Sequence, residues 1–183
     1  MLKLYGGKKS RAAIAQWYIE ELNLEYEFVV LDMENGEHRQ PEFLAINPMG
    51  KVPAIDDNGF YLWESGAILL YLADQYSSQN LNPQKRAAIN QWIVFANATL
   101  GPNMIMESSR EKEMPRLFSA LNDHLKQNDY LVDDQFTAAD VAVGAYLAYL
   151  QMMLQLDYSD YPGVTNYVQR LSQRPAFQAT IGG

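Results

Sequence analysis

Residues 52–65, Val52-Pro53-Ala54-Ile55-Asp56-Asp57-Asn58-Gly59-Phe60-Tyr61-Leu62-Trp63-Glu64-Ser65, read as two short strands running into the start of a helix. The apolar runs at 52–55 and 60–63 flank Asn-Gly, the strongest short-range hairpin signal, because these two residues accept the positive φ angles that a tight turn demands. Beyond Glu64, the residues Ile68, Leu69, Tyr71 and Leu72 recur at helical spacing. A helix is therefore predicted there, with Ser65 placed to cap it.

Toward the N-terminus the hydrophobic period changes twice more. Leu2 and Leu4 alternate with Lys3 and Tyr5, a strand pattern. Gly6-Gly7-Lys8-Lys9 then turns the chain, and Ser10 is placed to cap a helix whose apolar face is Ile14, Trp17, Tyr18 and Leu22. Residues 25–31 alternate again, with Tyr26, Phe28 and Val30 expected on one side. A strand, a helix and a second strand make a parallel βαβ unit. A polar loop at 33–39 and a short helix at 41–46 complete the order β-α-β-α-β-β-α, a small mixed sheet with helices packed on it.

The second half has no strand pattern. Residues 76–84 are polar and contain Pro83, as a linker does, and helices are expected at 86–98, at 117–125 after Pro115, at 138–153, and after Pro162 and Pro175. The 138–153 segment is apolar almost all round, which marks a buried helix. The expected organisation is an α/β domain at 1–75, a linker at 76–84 and an all-helical domain at 85–183.

Composition removes several function classes. Twenty-two acidic residues against 14 basic ones leave a net charge of -8, which opposes the counterion displacement that general nucleic-acid binding needs. No apolar run approaches the roughly 18 residues of a membrane span, and the first residues look like a strand instead of a signal peptide. A cytoplasmic location is the expectation, with no membrane or nucleic-acid partner. There is no cysteine, which excludes disulfides, thiolate metal sites and any mechanism using a protein thiol. Two histidines, His38 and His124, are too few for a histidine metal cluster. Any reactive thiol must arrive on a ligand.

Four stretches together resemble the cytosolic glutathione transferase family. They are Leu4-Tyr5-Gly6 with Ser10-Arg11; Asn47-Pro48-Met49-Gly50-Lys51-Val52-Pro53-Ala54-Ile55 with Leu62-Trp63-Glu64-Ser65-Gly66-Ala67-Ile68; Phe136-Thr137-Ala138-Ala139-Asp140-Val141; and Arg174-Pro175-Ala176-Phe177. Their order and spacing match the family over essentially the whole chain. Within the family the chain looks like the short bacterial type, of which the cyanobacterial Chi class is one.

The resemblance implies a thioredoxin-like N-terminal domain, a C-terminal helical bundle, a homodimer, and conjugation of glutathione to small hydrophobic electrophiles in detoxification, with a glutathione-dependent peroxidase side activity. No cofactor is implied beyond glutathione as co-substrate, and no metal. Val52-Pro53 matches the family's cis-proline, which would leave the Val52 backbone to pair with the cysteinyl residue of glutathione. Ser65 and the first helical amides would receive the γ-glutamyl carboxylate, and Glu64 the neighbouring ammonium. Lys51 and His38 match positions that approach the glycyl carboxylate, with Gln40 a weaker neighbour. Ser10 is expected to stabilise the thiolate with Arg11 as electrostatic helper, and Tyr5 is the alternative hydroxyl. Gly7 stands where some classes carry a serine.

Each of these residues also has a plain structural reading. Pro53 can be an edge-strand proline, Ser10 and Ser65 mere helix caps, Lys51 and His38 exposed surface groups. Met104, Ile105 and Met106 with Tyr146 and Tyr149 can line an adaptable pocket or simply fill a core. Thr137-x-x-Asp140 is a capping box in front of the buried helix, a folding element, with Asp133 or Asp134 taking the left-handed turn before it. A non-catalytic scaffold of the same fold is the competing reading, which retention of Pro53, Glu64 and Ser65 disfavours.

Overall fold

A computed structural model describes residues 1–7, 9–78 and 81–183. Lys8, in the expected turn, and Gln79 and Asn80, in the expected linker, lie outside the described residues. The chain divides into two compact units, Met1–Ser78 and Gln79–Gly183.

The first unit is built on a four-stranded sheet ordered β2-β1-β3-β4, with β1 at Leu2–Gly6, β2 at Tyr26–Val30, β3 at Ala54–Asp57 and β4 at Phe60–Trp63. Strands β1 and β2 run parallel with Leu4 opposite Phe28, joined through helix α1 at Ala12–Glu21. Strand β3 is antiparallel to both β1 and β4, pairing Leu4 with Ile55 and Ala54 with Trp63. Asn58 and Gly59 take φ of 53° and 91°, and the Gly59 amide donates to the Asp56 carboxylate at 2.7 Å. Both turn residues thus adopt the conformation that made Asn-Gly diagnostic. After a one-turn 3-10 helix at Glu37–Arg39 comes α2 at Pro41–Leu44, and α3 at Ser65–Tyr76 closes the unit. This is the thioredoxin-like arrangement.

Alternation along β1 sorts its side chains between two cores. Leu2 and Leu4 are buried in a core that also holds Ile14, Trp17 and Ile19 of α1 and Ile68, Leu69 and Leu72 of α3. On the opposite face Tyr5 packs against Phe43, within a smaller cluster of Leu31, Phe43 and Ala54. A Cβ at Gly6 would fall 2.4 Å from the Ala12 Cβ, so glycine is required where β1 delivers the chain against α1. Strand β2 lies at the sheet edge, where Tyr26 and Phe28 are half-buried and Val30 is 50% exposed.

The second unit is helical. It comprises α4 (Pro83–Val94), a π-helical turn (Phe95–Leu100), α5 (Gly101–Ile105), α6 (Glu107–Leu125), α7 (Ala138–Leu154), α8 (Pro162–Ser172) and α9 (Pro175–Thr180). Asn82 caps α4, accepting from the Lys85 amide at 2.8 Å. Two expectations need correction. The helix expected at 86–98 starts three residues earlier and changes to π geometry at Phe95. The helix expected to start after Pro115 begins at Glu107 and carries Pro115 in its interior. Glu111, whose carbonyl loses its partner there, and Pro115 are both exposed, so water can take the orphaned acceptor.

Helix α7 is buried from Ala138 to Ala148, and its last turn emerges into solvent with Met152 and Met153. Its start is the predicted capping box. Thr137 Oγ1 accepts from the Ala139 amide, and the Asp140 carboxylate accepts from the Thr137 amide at 2.8 Å. Asp133 and Asp134 both take left-handed φ, 51° and 52°, in the turn before it. Met104 is wholly buried whereas Ile105 and Met106 stand in solvent, so these three do not share one environment.

Candidate functional site

The connection between α2 and β3 is held from inside by Asn47. This buried side chain donates from Nδ2 to the Lys51 carbonyl at 2.6 Å and accepts at Oδ1 from the Met49 amide at 3.0 Å. Gly50 turns the loop with φ of 59°, close against the His38 carbonyl. The Val52-Pro53 peptide is cis, and β3 begins only at Ala54, so the Val52 amide and carbonyl stand outside the sheet ladder.

The transition from β4 to α3 differs from expectation. Glu64, not Ser65, occupies the cap position, with φ of 72° and ψ of 120° and no side-chain capping bond. Ser65 is instead the first helical residue and is buried. A positive φ at a non-glycine residue costs on the order of 1–3 kcal/mol and persists where the surroundings demand it. The hydroxyl freed from capping accepts from Arg11 Nη2 at 3.4 Å, from a residue 54 positions away.

Ser10 is also not the cap of its helix. That position belongs to Arg11, which makes no side-chain capping bond. The Ser10 hydroxyl donates to the Gly7 carbonyl at 3.1 Å and accepts from the Gly7 and Ala12 amides at 3.1 and 3.3 Å. Its one proton closes the turn before α1.

A cleft of about 720 Å³ gathers Arg11, His38, Lys51, Val52, Pro53, Glu64 and Ser65 in one wall, together with Met33, Arg39, Leu44, Asn47, Met49 and Gly50. Of the residues expected at the site, Ser10 is not among those lining it, and neither are the alternative hydroxyl Tyr5 and the weaker neighbour Gln40. Burial, reinforced by the Asp56 carboxylate, holds the Tyr5 phenol above its ordinary value of 10. His38 corrects a further expectation. It is 9% exposed, part of the 3-10 helix, and its Nδ1 is buried without a hydrogen-bond partner. Arg39 and Met49 were passed over, although both flank residues that the motif picks out.

The cleft lining carries more basic than acidic side chains. Arg11, Arg39 and Lys51 line it with a single carboxylate, Glu64, in a chain whose net charge is -8. Chemically this suits an extended anionic ligand: backbone groups at Val52 for a strand-like segment, Glu64 for an ammonium, and Ser65 with the α3 amides for a carboxylate. Among the described residues no group of three or more His, Asp or Glu is set to hold a metal ion, and no helix is long and apolar enough to cross a membrane.

Comparison with known proteins gives this architecture its class. The glutathione S-transferase N-terminal domain matches residues 1–74, and the C-terminal domain matches residues 102–175. Glutathione S-transferase GstB of Escherichia coli is 30% identical over 185 residues, covering 89% of this chain and 88% of that protein. The crystal structure of a possible glutathione S-transferase from Rhodopseudomonas palustris superposes with a TM-score of 0.82 at 33% identity, over 96% of this chain and 95% of the other. Glutathione transferase URE2P8 of Phanerochaete chrysosporium, crystallised with oxidized glutathione, gives 0.84 at 26% identity, over 97% and 92%. The chain belongs to the glutathione S-transferase family and is an enzyme of that family, a glutathione transferase.

Proposed function

We propose that the cleft binds glutathione and that the chain ionises its thiol and joins the sulfur to small hydrophobic electrophiles. In this reading the Val52 amide and carbonyl pair with the cysteinyl backbone, as an added strand would. Ser65 and the first amides of α3 take the γ-glutamyl carboxylate, and Glu64 takes the α-ammonium. His38 and Lys51 approach the glycyl carboxylate. The thiolate sulfur attacks the electrophilic carbon and a C–S bond forms; from an aryl halide the halide departs with the bonding pair, and in an isothiocyanate the C=N pair moves to nitrogen, which takes a proton.

Thiol ionisation is assigned to Ser10 and Arg11. Arg11 supplies positive charge from the cleft wall. Ser10 contributes by turning its proton from the Gly7 carbonyl to the sulfur when the ligand is bound. Lowering a thiol pKa by two units corresponds to about 2.7 kcal/mol, a magnitude that one charge-assisted hydrogen bond and a neighbouring cation can supply. With no cysteine in the chain, glutathione supplies the reactive thiol.

The observation that carries this reading is the meeting of Arg11, His38, Lys51, Val52, Pro53, Glu64 and Ser65 in one cleft. Further support is the oxidized glutathione held by the Phanerochaete relative. The reading extends to a cytoplasmic homodimer of the short bacterial type acting in detoxification, with a side activity on hydroperoxides. Retention on immobilised glutathione, followed by conjugation assays with aryl halides and isothiocyanates, tests it. Retention with turnover above background is expected. Protein that neither binds the resin nor exceeds the uncatalysed rate would leave a scaffold of the same fold.

A further inference from the structure

We propose that Met49 is an oxidation-sensitive site on the cleft wall, whose conversion to the sulfoxide by a hydroperoxide weakens glutathione binding. This rests on the glutathione reading of the cleft. In a chain without cysteine, methionine supplies all of the oxidisable sulfur. Met104 is wholly buried, and Met33 packs against the Leu31, Phe43 and Ala54 cluster. Met106, Met152 and Met153 are exposed and belong to the second unit. Of the two methionines that line the cleft, Met33 is half-buried against that cluster and Met49 is 57% exposed.

The loop geometry makes this sulfur consequential. The Met49 amide is tied to Asn47 Oδ1, so its backbone stays fixed while the thioether meets solvent two residues before Lys51. In the oxidation a sulfur lone pair attacks the terminal peroxide oxygen. The S–O bond forms as the O–O bond breaks, and the proton passes to the departing alkoxide to give an alcohol, or water from hydrogen peroxide. Sulfur loses two electrons and the peroxide gains them. The product carries a strong acceptor oxygen where an apolar thioether stood. The lining holds the basic side chains Arg39, Lys51 and Arg11 and the acidic Glu64. A new acceptor among these donors competes with the carboxylates of the ligand. Methionine sulfoxide reductases reverse the change, as a switch requires.

The test uses the intact protein, hydrogen peroxide, and γ-glutamyl-α-aminobutyryl-glycine, a glutathione analogue with a methyl group in place of the thiol and therefore inert to the oxidant. Peptide mapping follows each methionine. The analogue is expected to slow oxidation of Met49 several-fold while leaving Met152 and Met153 unprotected. After peroxide is removed by catalase, the KM for glutathione rises about fivefold in the wild type and returns on treatment with the reductase. In Met49→Leu, KM is the same before and after peroxide. A Met49→Leu protein that loses affinity on oxidation as the wild type does would overturn the proposal. So would bound analogue that fails to protect Met49. Absence of any analogue binding to the unoxidised protein by calorimetry would instead overturn the glutathione reading itself.

Discussion

The Arg11 guanidinium donates to the Ser65 hydroxyl, Nη2 to Oγ 3.4 Å, and so ties the start of α1 to the start of α3 across 54 residues of sequence. The two helix starts face one cleft, and the contact brings a cation to a hydroxyl that local sequence would assign to capping. Ser65 is free for this because Glu64 takes the cap position at positive φ.

Ser65→Ala removes that acceptor and, in the proposed complex, a donor to the γ-glutamyl carboxylate. The expected result is a rise in the KM for glutathione of about tenfold with little change in stability, because no capping bond is lost. Steady-state kinetics and thermal denaturation of the same preparation check both halves.

Arg11→Gln removes the cation and retains hydrogen-bonding capacity. The pKa of bound glutathione, followed by thiolate ultraviolet absorbance, is expected to rise by about one unit, with about a tenfold loss of turnover at neutral pH. Ser10→Ala is expected to raise it too. It also costs about 1 kcal/mol of stability through the lost turn closure at Gly7 and Ala12. An unchanged thiol pKa in Ser10→Ala would confine Ser10 to closing the turn.

Asn47→Ala leaves the Lys51 carbonyl and the Met49 amide without their side-chain partner. A loss of about 2 kcal/mol in urea denaturation is expected. The KM for glutathione should rise with kcat nearly constant, since Asn47 positions the loop without meeting the thiol.

Pro115→Ala restores a backbone donor inside α6 and relieves the ring clash with the preceding turn. Helix propensity favours alanine there by about 3 kcal/mol, and the looser unfolded chain returns up to about 1 kcal/mol of that. The variant is expected to melt higher than the wild type, by calorimetry, with the kinetics unaltered.

Burial pushes the Asp140 carboxyl up to about 6, in spite of hydrogen bonds from the Leu131 and Thr137 amides and the Thr137 and Tyr167 hydroxyls. The folded state therefore binds a proton more readily than the unfolded state, whose carboxyl keeps the ordinary value of 3.8. Between about pH 4 and 6 the folded form holds the extra proton, so this group's contribution falls as pH rises through that window and is lowest above it. Denaturation at several pH values is expected to show wild type losing stability relative to Asp140→Asn over this range. The variant itself should be the less stable at low pH, because one amide oxygen cannot accept from every donor.

The fold was legible wherever it depended on neighbours in sequence. Asn58-Gly59 specifies its hairpin because the two residues themselves tolerate positive φ, and Thr137-x-x-Asp140 specifies its cap because donor and acceptor lie within one turn. Pro115 was misleading for the same reason: local propensity marks a boundary, but packing of Leu117, Phe118 and Leu121 on one side and water on the other carries the helix through it. At the site, residue identities around Val52-Pro53 and Glu64-Ser65 were readable. The burial of His38, the involvement of Arg39 and Met49, and the engagement of the Ser10 proton with Gly7 were not.

What the sequence by itself determined is therefore the order of elements, the division between a mixed sheet and a helical half, and the absence of a protein thiol. Tertiary structure alone decided that Arg11 reaches Ser65, that Ser65 is released from capping by Glu64, and that His38 is buried in the wall of the cleft. The reason is physical. Periodicity and turn chemistry act over a few residues, whereas a hydrogen bond across 54 positions exists only after the sheet has brought the starts of α1 and α3 together.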